Sequence, residues 1–185
     1  MRKTTTLLAM AAFAIGGLVG AYALLAEKPV GGAGHPAWQE VAWPFAIDQW
    51  GKGKAFRCNA ADCGTEVSVY IRPKIGFCNC STGVADDEEL ERISDFDLFN
   101  NTLSPIGAGR EISVAWMKGR SRSYSIAGAQ PAGRSALSIG FNDRCDAIVA
   151  TAVVGHDRPV AVEPAVIEFL NSRTIIRWAE IALGL

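Results

Sequence analysis

From Leu7 to Ala26 the chain runs for twenty residues without a charged side chain. At about 1.5 Å per residue, a helix of that length covers a bilayer core of about 30 Å. Met1-Arg2-Lys3 places positive charge ahead of it, which holds that end in the cytoplasm and directs the rest of the chain across the membrane. Two fates fit the segment. Ala21-Tyr22-Ala23 has the A-x-A form of a signal-peptide cleavage site, whereas the continuation through Leu24, Leu25 and Ala26 suits a retained anchor. Residues 1–26 are therefore expected to be a signal peptide or a transmembrane anchor. Residues 27–37, with Pro29, Gly31, Gly32, Gly34 and Pro36, have the composition of a flexible linker, and the exported domain is expected over 38–185. Trp38, Trp43 and Phe45 just beyond the linker suit either packing onto that domain or a belt at a membrane surface.

The polar and apolar positions then mark out short strands. Lys54–Cys58 and Glu66–Arg72 are rich in β-branched and aromatic residues and are bounded by Gly, Asn and Asp. In the second run Val67, Val69 and Ile71 share one face and Ser68, Tyr70 and Arg72 the other, which predicts burial on one side only. Pro73 is expected to end it, and Ile75 to Asn79 forms a short extended piece. From Glu111 a meander begins, in which Ile112, Val114 and Trp116 alternate with Glu111, Ser113 and Ala115. Lys118–Ser121 is expected to turn the chain into a strand over 122–127, and a loop over 128–133 leads to another over 135–141. After a turn at Asn142–Arg144, residues 145–154 are apolar on both faces, which predicts a central, doubly covered strand.

Helical signals occupy the remainder. Asp86 is a candidate N-cap, acids fill the turn after it, and Leu90 and Ile93 fall at i, i+3, predicting a short helix that Ser94–Phe99 extends or follows with a further turn. Residues 100–109 are expected to be a loop from their Asn, Pro and Gly content. Near the C-terminus Pro164 is expected at a first helical position ahead of Val166, Ile167 and Leu170, and Asn171-Ser172 caps a second helix carrying Ile175, Ile176, Trp178, Ala179 and Ile181. The fold class is α+β: a mostly antiparallel sheet of about five to six strands with C-terminal helices packed on it, preceded by the N-terminal apolar helix.

Composition bounds the function classes. The chain is 49% hydrophobic and 20% charged, globular in character. Removing Arg2 and Lys3 with the leader leaves 16 basic residues against 19 acidic ones, a net charge of −3, so no broad basic surface for nucleic acid is expected.

Four of the five cysteines, Cys58, Cys63, Cys78 and Cys80, lie within one short stretch, and the fifth is Cys145. In an oxidising compartment they are disulfide candidates, with Cys145, in the expected central strand, as the free thiol. Cys58–Cys63 would close a short loop, Cys78–Cys80 is strained at alternate strand positions, and pairing one member of each couple with one of the other relieves that strain. The same four sulfurs also form a Cys-x4-Cys, Cys-x-Cys set of soft ligands suited to Cu(I), with little support from His35, His156 or the methionines. Cys78-Asn79-Cys80, near Arg72 and Lys74, is in turn a candidate for disulfide exchange. Lys118, Arg120 and Arg122 at every second position would share one side of a hairpin, either as a contact for an anionic partner or as a charged edge. Asp86, Asp87, Glu88 and Glu89 suit the helix dipole, with a hard cation as the alternative, and no EF-hand spacing accompanies them. Asp95 and Asp97 flank Phe96 as a possible carboxylate pair, and no G-x-S-x-G or H-E-x-x-H is present. The reading is an accessory domain of the envelope without a resident cofactor, anchored by its N-terminal helix, facing the periplasm or cell exterior, and acting by protein binding or assembly. Thiol-based copper handling or disulfide exchange is the alternative.

Overall fold

A computed structural model describes residues 36–128, 133–155 and 159–185. The expected N-terminal helix, most of the linker, and His156 lie outside the described residues. Within Pro36–Leu185, one compact unit, the strands are β1 (Trp38–Val41), β2 (Lys54–Cys58), β3 (Val67–Lys74), β4 (Thr102–Val114), β5 (Met117–Ala127), β6 (Ser135–Asp143) and β7 (Asp146–Val154). They form one antiparallel sheet of seven strands, more than the five to six expected, in the order β1-β2-β3-β7-β6-β5-β4. The helices are α1 (Ala60–Cys63), α2 (Asp87–Ile93), α3 (Pro159–Leu170) and α4 (Arg173–Leu183), with a 3-10 turn at Phe96–Phe99. The class is α+β. Among the described residues no helix is long and apolar enough to cross a membrane.

The two-faced apolar run becomes β7, which takes the middle position in the sheet. Its Ile148, Ala150, Ala152 and Val154 point into a core with Val67, Val69 and Ile71 of β3, Leu137, Ile139 and Phe141 of β6, and Val162, Val166, Leu170, Ile175 and Ala179 of α3 and α4. Ala147 and Val149 face the other way, onto Leu90 and Ile93 of α2 together with Val84 and Cys78. The sheet is thus covered on both sides, and each fully buried Ile, Val or Leu contributes roughly 1.5–3 kcal/mol. Gly140 of β6 lets α2 lie this close, because a Cβ there would stand 2.8 Å from Ile93 Cδ1 and 3.1 Å from Leu90 Cδ1. Trp38 stacks on Phe169 at 4.5 Å, and Phe45 meets Tyr70 at 4.8 Å, so these rings pack onto the domain.

Five expectations change, the first at Pro73, which does not end β3 but pairs with Ile148 inside it as the strand runs on to Lys74. The supposed loop over 100–109 is the first part of β4, and its Pro105, Gly107 and Gly109 flank or form a bulge where the pairing with β5 shifts between Ile106 and Arg110. The hairpin turn falls at Ala115–Trp116 rather than at 118–121, with Ala115 at φ 52, and Gly119 is a strand residue pressed against Phe141. Pro164 sits inside α3, which starts at Pro159, where a fixed φ suits the first turn. The second face of β3 is not open to solvent, since Arg72 and Lys74 are buried beneath a polar layer. The caps at Asp86 and Ser172 are formed as expected: their side chains accept from the amides of Glu89 and Ile175.

Candidate functional site

The cysteines form two separate staples. Asn59 accepts from the amides of Ala61 and Asp62 and folds the chain into α1, bringing Cys63 back onto Cys58 with Cα atoms 6.0 Å apart. Cys80 is bonded to Cys145 across 65 residues of sequence, with Cα atoms 4.2 Å apart, tying the loop after β3 to the β6–β7 turn. Loop-closure entropy assigns about 2 kcal/mol to the short staple and about 4 kcal/mol to the long one. Cys78 keeps its thiol.

This arrangement corrects the expected pairing. Cys145 is not the free thiol, because β7 begins one residue later, at Asp146, and leaves Cys145 half-buried at the turn. Cys78 is not in a disulfide. A pairing between the Cys58/Cys63 couple and the Cys78/Cys80 couple is ruled out by distance. Cys58 lies opposite Val67 at the start of β3, whereas Cys78 follows its far end at Lys74, about 23 Å away at 3.3 Å per residue. With Cys58, Cys63 and Cys80 oxidised, the four-thiolate set needed for Cu(I) is not assembled. Among the described residues no group of three or more His, Cys, Asp or Glu side chains is arranged to hold a metal.

Cys78 is 6% exposed and lies in the cluster beneath α2. Its sulfur donates to the Arg144 carbonyl at 3.2 Å, and its amide donates to the Cys145 carbonyl at 3.1 Å. Burial pushes the thiol up to about 11, the negative charges of Glu89 and Asp146 add to the shift, and Arg92 opposes it. A thiol so placed is a poor nucleophile at neutral pH.

A charged layer covers the same face of the sheet. Arg72 on β3 grips Asp95 with two hydrogen bonds of 2.7 Å and reaches Asp48 with a third. Lys74, two residues along, binds the same Asp95 at 2.7 Å and lies 4.6 Å from the centre of the Trp50 ring. Arg72 is 2% exposed and Asp95 5%. Burial works against the Arg72 charge, but the hydrogen bonds and charge of Asp95, backed by Asp48, raise its pKa above the ordinary value. Asp95 and Asp97 are therefore not a pair, since Asp97 is exposed.

The alternating basic residues do share one face of β5, and two of the three are engaged internally. Arg120 pairs with Asp87 and donates to the Gly109 carbonyl at 3.1 Å. Arg122 pairs with Glu91 at 2.7 Å and donates to the Gly107 carbonyl at 2.9 Å. Asp87 in turn accepts the Gly109 amide. Desolvation raises the Asp87 pKa, yet this amide and the two arginines outweigh it and hold the carboxyl below its usual range. Glu89 is likewise occupied, by Arg92 and the Asn79 amide. Asp87 and Glu91 of α2, with Arg120 and Arg122 of β5, thus clamp α2 and the bulge of β4 to the sheet. Lys118 has no ion pair among the described residues and borders a cleft of about 440 Å³ with Thr82, Glu111 and Asn142.

On the opposite face, Glu163 of α3 is 4% exposed, accepts from the Ser121 hydroxyl, and pairs with Arg110 across the gap that the β4 bulge opens. That gap is a cavity of about 130 Å³ bordered also by Ser123, Ile106 and Val160. The sequence reading did not select Glu163 or the Arg72–Asp95 pair. A lone acid among Val160, Val162 and Val166 was the available signal for the first, and a base alternating into a strand face for the second. Comparison with protein-family models, with curated proteins and with solved structures finds no match to this chain.

Proposed function

We propose that the chain is an exported accessory domain of the cell envelope, tethered through its N-terminal segment and acting by binding or assembling other proteins. The observation that carries this reading is the pair of disulfides, Cys58–Cys63 and Cys80–Cys145, a type of bond that forms and persists in oxidising compartments. The apolar segment at 7–26 behind Arg2 and Lys3 points to the same side of the membrane. The clamps at Asp95, Asp87 and Glu91 support a rigid scaffold role, since they lock the layer of α2 to the sheet and engage Arg72, Arg120 and Arg122 internally.

The test has two arms. A tagged full chain should be digested by protease added to spheroplasts, and protection would overturn the export reading. Crosslinking in membranes should capture a defined partner with the full chain and lose it when residues 1–37 are deleted. If nothing is captured and residues 38–185 remain monodisperse alone, the binding reading fails.

A further inference from the structure

Cys78, Cys80 and Cys145 occupy one corner of the molecule, and only two of the three sulfurs can be joined at a time. The bond links Cys80 to Cys145, and Cys78 holds the thiol. Cys78 is nevertheless held directly against Cys145 by the backbone, its amide donating to the Cys145 carbonyl at 3.1 Å. The covalent geometry on either side of that single bond leaves the two Cα atoms no more than about 7 Å apart, a range that overlaps the window of about 4.4–6.8 Å that a disulfide spans. The Cys78 sulfur already points at this turn, since it donates to the carbonyl of Arg144, the residue before Cys145. Cys80 approaches Cys145 from the exposed end of the same loop. The Cys-x-Cys spacing, awkward for a bond between its own two members, therefore offers Cys145 two alternative partners on one short segment.

We propose that Cys78, Cys80 and Cys145 form a thiol–disulfide exchange site, in which the staple passes from Cys80 to Cys78 and leaves Cys80 as an accessible thiol. Cys78 gives up its proton to solvent, and its sulfur attacks Cys145 Sγ. The Cys78–Cys145 bond forms as the Cys80–Cys145 bond breaks, and the electron pair leaves on Cys80 Sγ, which takes up a proton. No oxidant or reductant is consumed. Before exchange the thiol is buried under α2; afterwards it lies on an exposed residue, where the disulfide of a partner protein can meet it. Burial, with Glu89 and Asp146 behind it, keeps exchange slow at neutral pH and protects the resting arrangement. The site does not depend on the binding role, and its test reads sulfur connectivity alone.

The experiment is Cys80→Ser in the full chain, oxidised and mapped by mass spectrometry without reduction. A Cys78–Cys145 peptide is expected, with the free thiols at these positions falling from two to zero. A folded C80S protein that retains both thiols overturns the proposal. If C80S does not fold, wild-type protein held at pH 9, quenched with N-ethylmaleimide and mapped decides the matter. Label on Cys80 supports exchange, and label confined to Cys78 overturns it.

Discussion

Asp95→Ala isolates the contribution of the charged layer. In the native protein Asp95 is the shared anion of two buried cations, bound by Arg72 through two hydrogen bonds and by Lys74 through an ion pair, all at 2.7 Å. The substitution leaves Arg72 with Asp48 alone, a carboxylate whose side chain is 40% exposed and correspondingly screened. Lys74 retains only the Trp50 and Phe77 rings, at 4.6 and 5.7 Å. Removing one partner from a buried ion pair costs about 3–5 kcal/mol, of which the surviving cation–π contacts and Asp48 offset a part, so a net loss of about 3 kcal/mol is expected. For a domain of this size that lowers Tm by roughly 6–12 °C. Urea unfolding followed by far-UV circular dichroism measures the loss, with an unchanged m-value as the sign that the folded state is intact. Asp97→Ala, at an exposed position of the same turn, should stay within about 0.5 kcal/mol. Adding Lys74→Met to the Asp95→Ala protein should recover part of the loss by removing the orphaned charge. A loss below about 1 kcal/mol for Asp95→Ala would refute the reasoning, as would failure of Lys74→Met to restore any of it.

Other perturbations test the remaining elements. Gly140→Val should cost about 1–3 kcal/mol by pushing α2 off the sheet, read as a drop in urea midpoint, because a Cβ there already meets Ile93 at 2.8 Å. Cys145→Ala should destabilise by about 4 kcal/mol and Cys63→Ala by about 2 kcal/mol in non-reducing unfolding, and the reverse order would contradict the loop-closure account. Asp87, Asp48 and Glu89 all have folded-state pKa values held below their usual ones. The unfolded chain therefore binds more protons in the acid range, and the stability these groups supply is complete above about pH 5 and lost as pH falls through their folded pKa values. Thermal melts from pH 3 to 7 should show that fall, with a shallower slope in Asp87→Asn.

Much of the fold was legible because burial writes itself into periodicity. The apolar run after Cys145 could only be satisfied by cover on both faces, and β7 is the middle strand. Asp86 and Ser172 carried their helix caps in their own side chains. Residues 102–109 were not legible as strand, because their Pro and Gly residues signal a turn locally, and only the distant Arg120, Arg122 and Asp87 supply the bulge with backbone partners. The basic alternation on β5 was visible, but its anions lay on a helix some thirty residues away in sequence. The cysteine pairing failed for a similar reason: spacing suggested a local cluster, whereas β3 separates Cys58 from Cys78 and the β6–β7 turn brings Cys145 to Cys80. Pairing depends on where strands end, and a one-residue difference in the start of β7 moved Cys145 from strand to turn.

The position of β7 also bears on how the chain reaches this structure. Val67 pairs with Val154 and Lys74 with Ala147, so the β1-β2-β3 half of the sheet joins the β4-β5-β6 half only through the last strand in the sequence. A chain emerging from its N-terminus can assemble each half as a meander, but neither half has its central neighbour until residues 146–154 arrive. β6 and β7 pair as a local hairpin, whereas the β3–β7 pairings join residues 73 to 87 positions apart, so bringing β3 onto β7 is the slow, non-local step. Closure of the sheet is therefore expected late in folding, and the Cys80–Cys145 bond, which joins the loop after β3 to the β6–β7 turn, is expected to form with it.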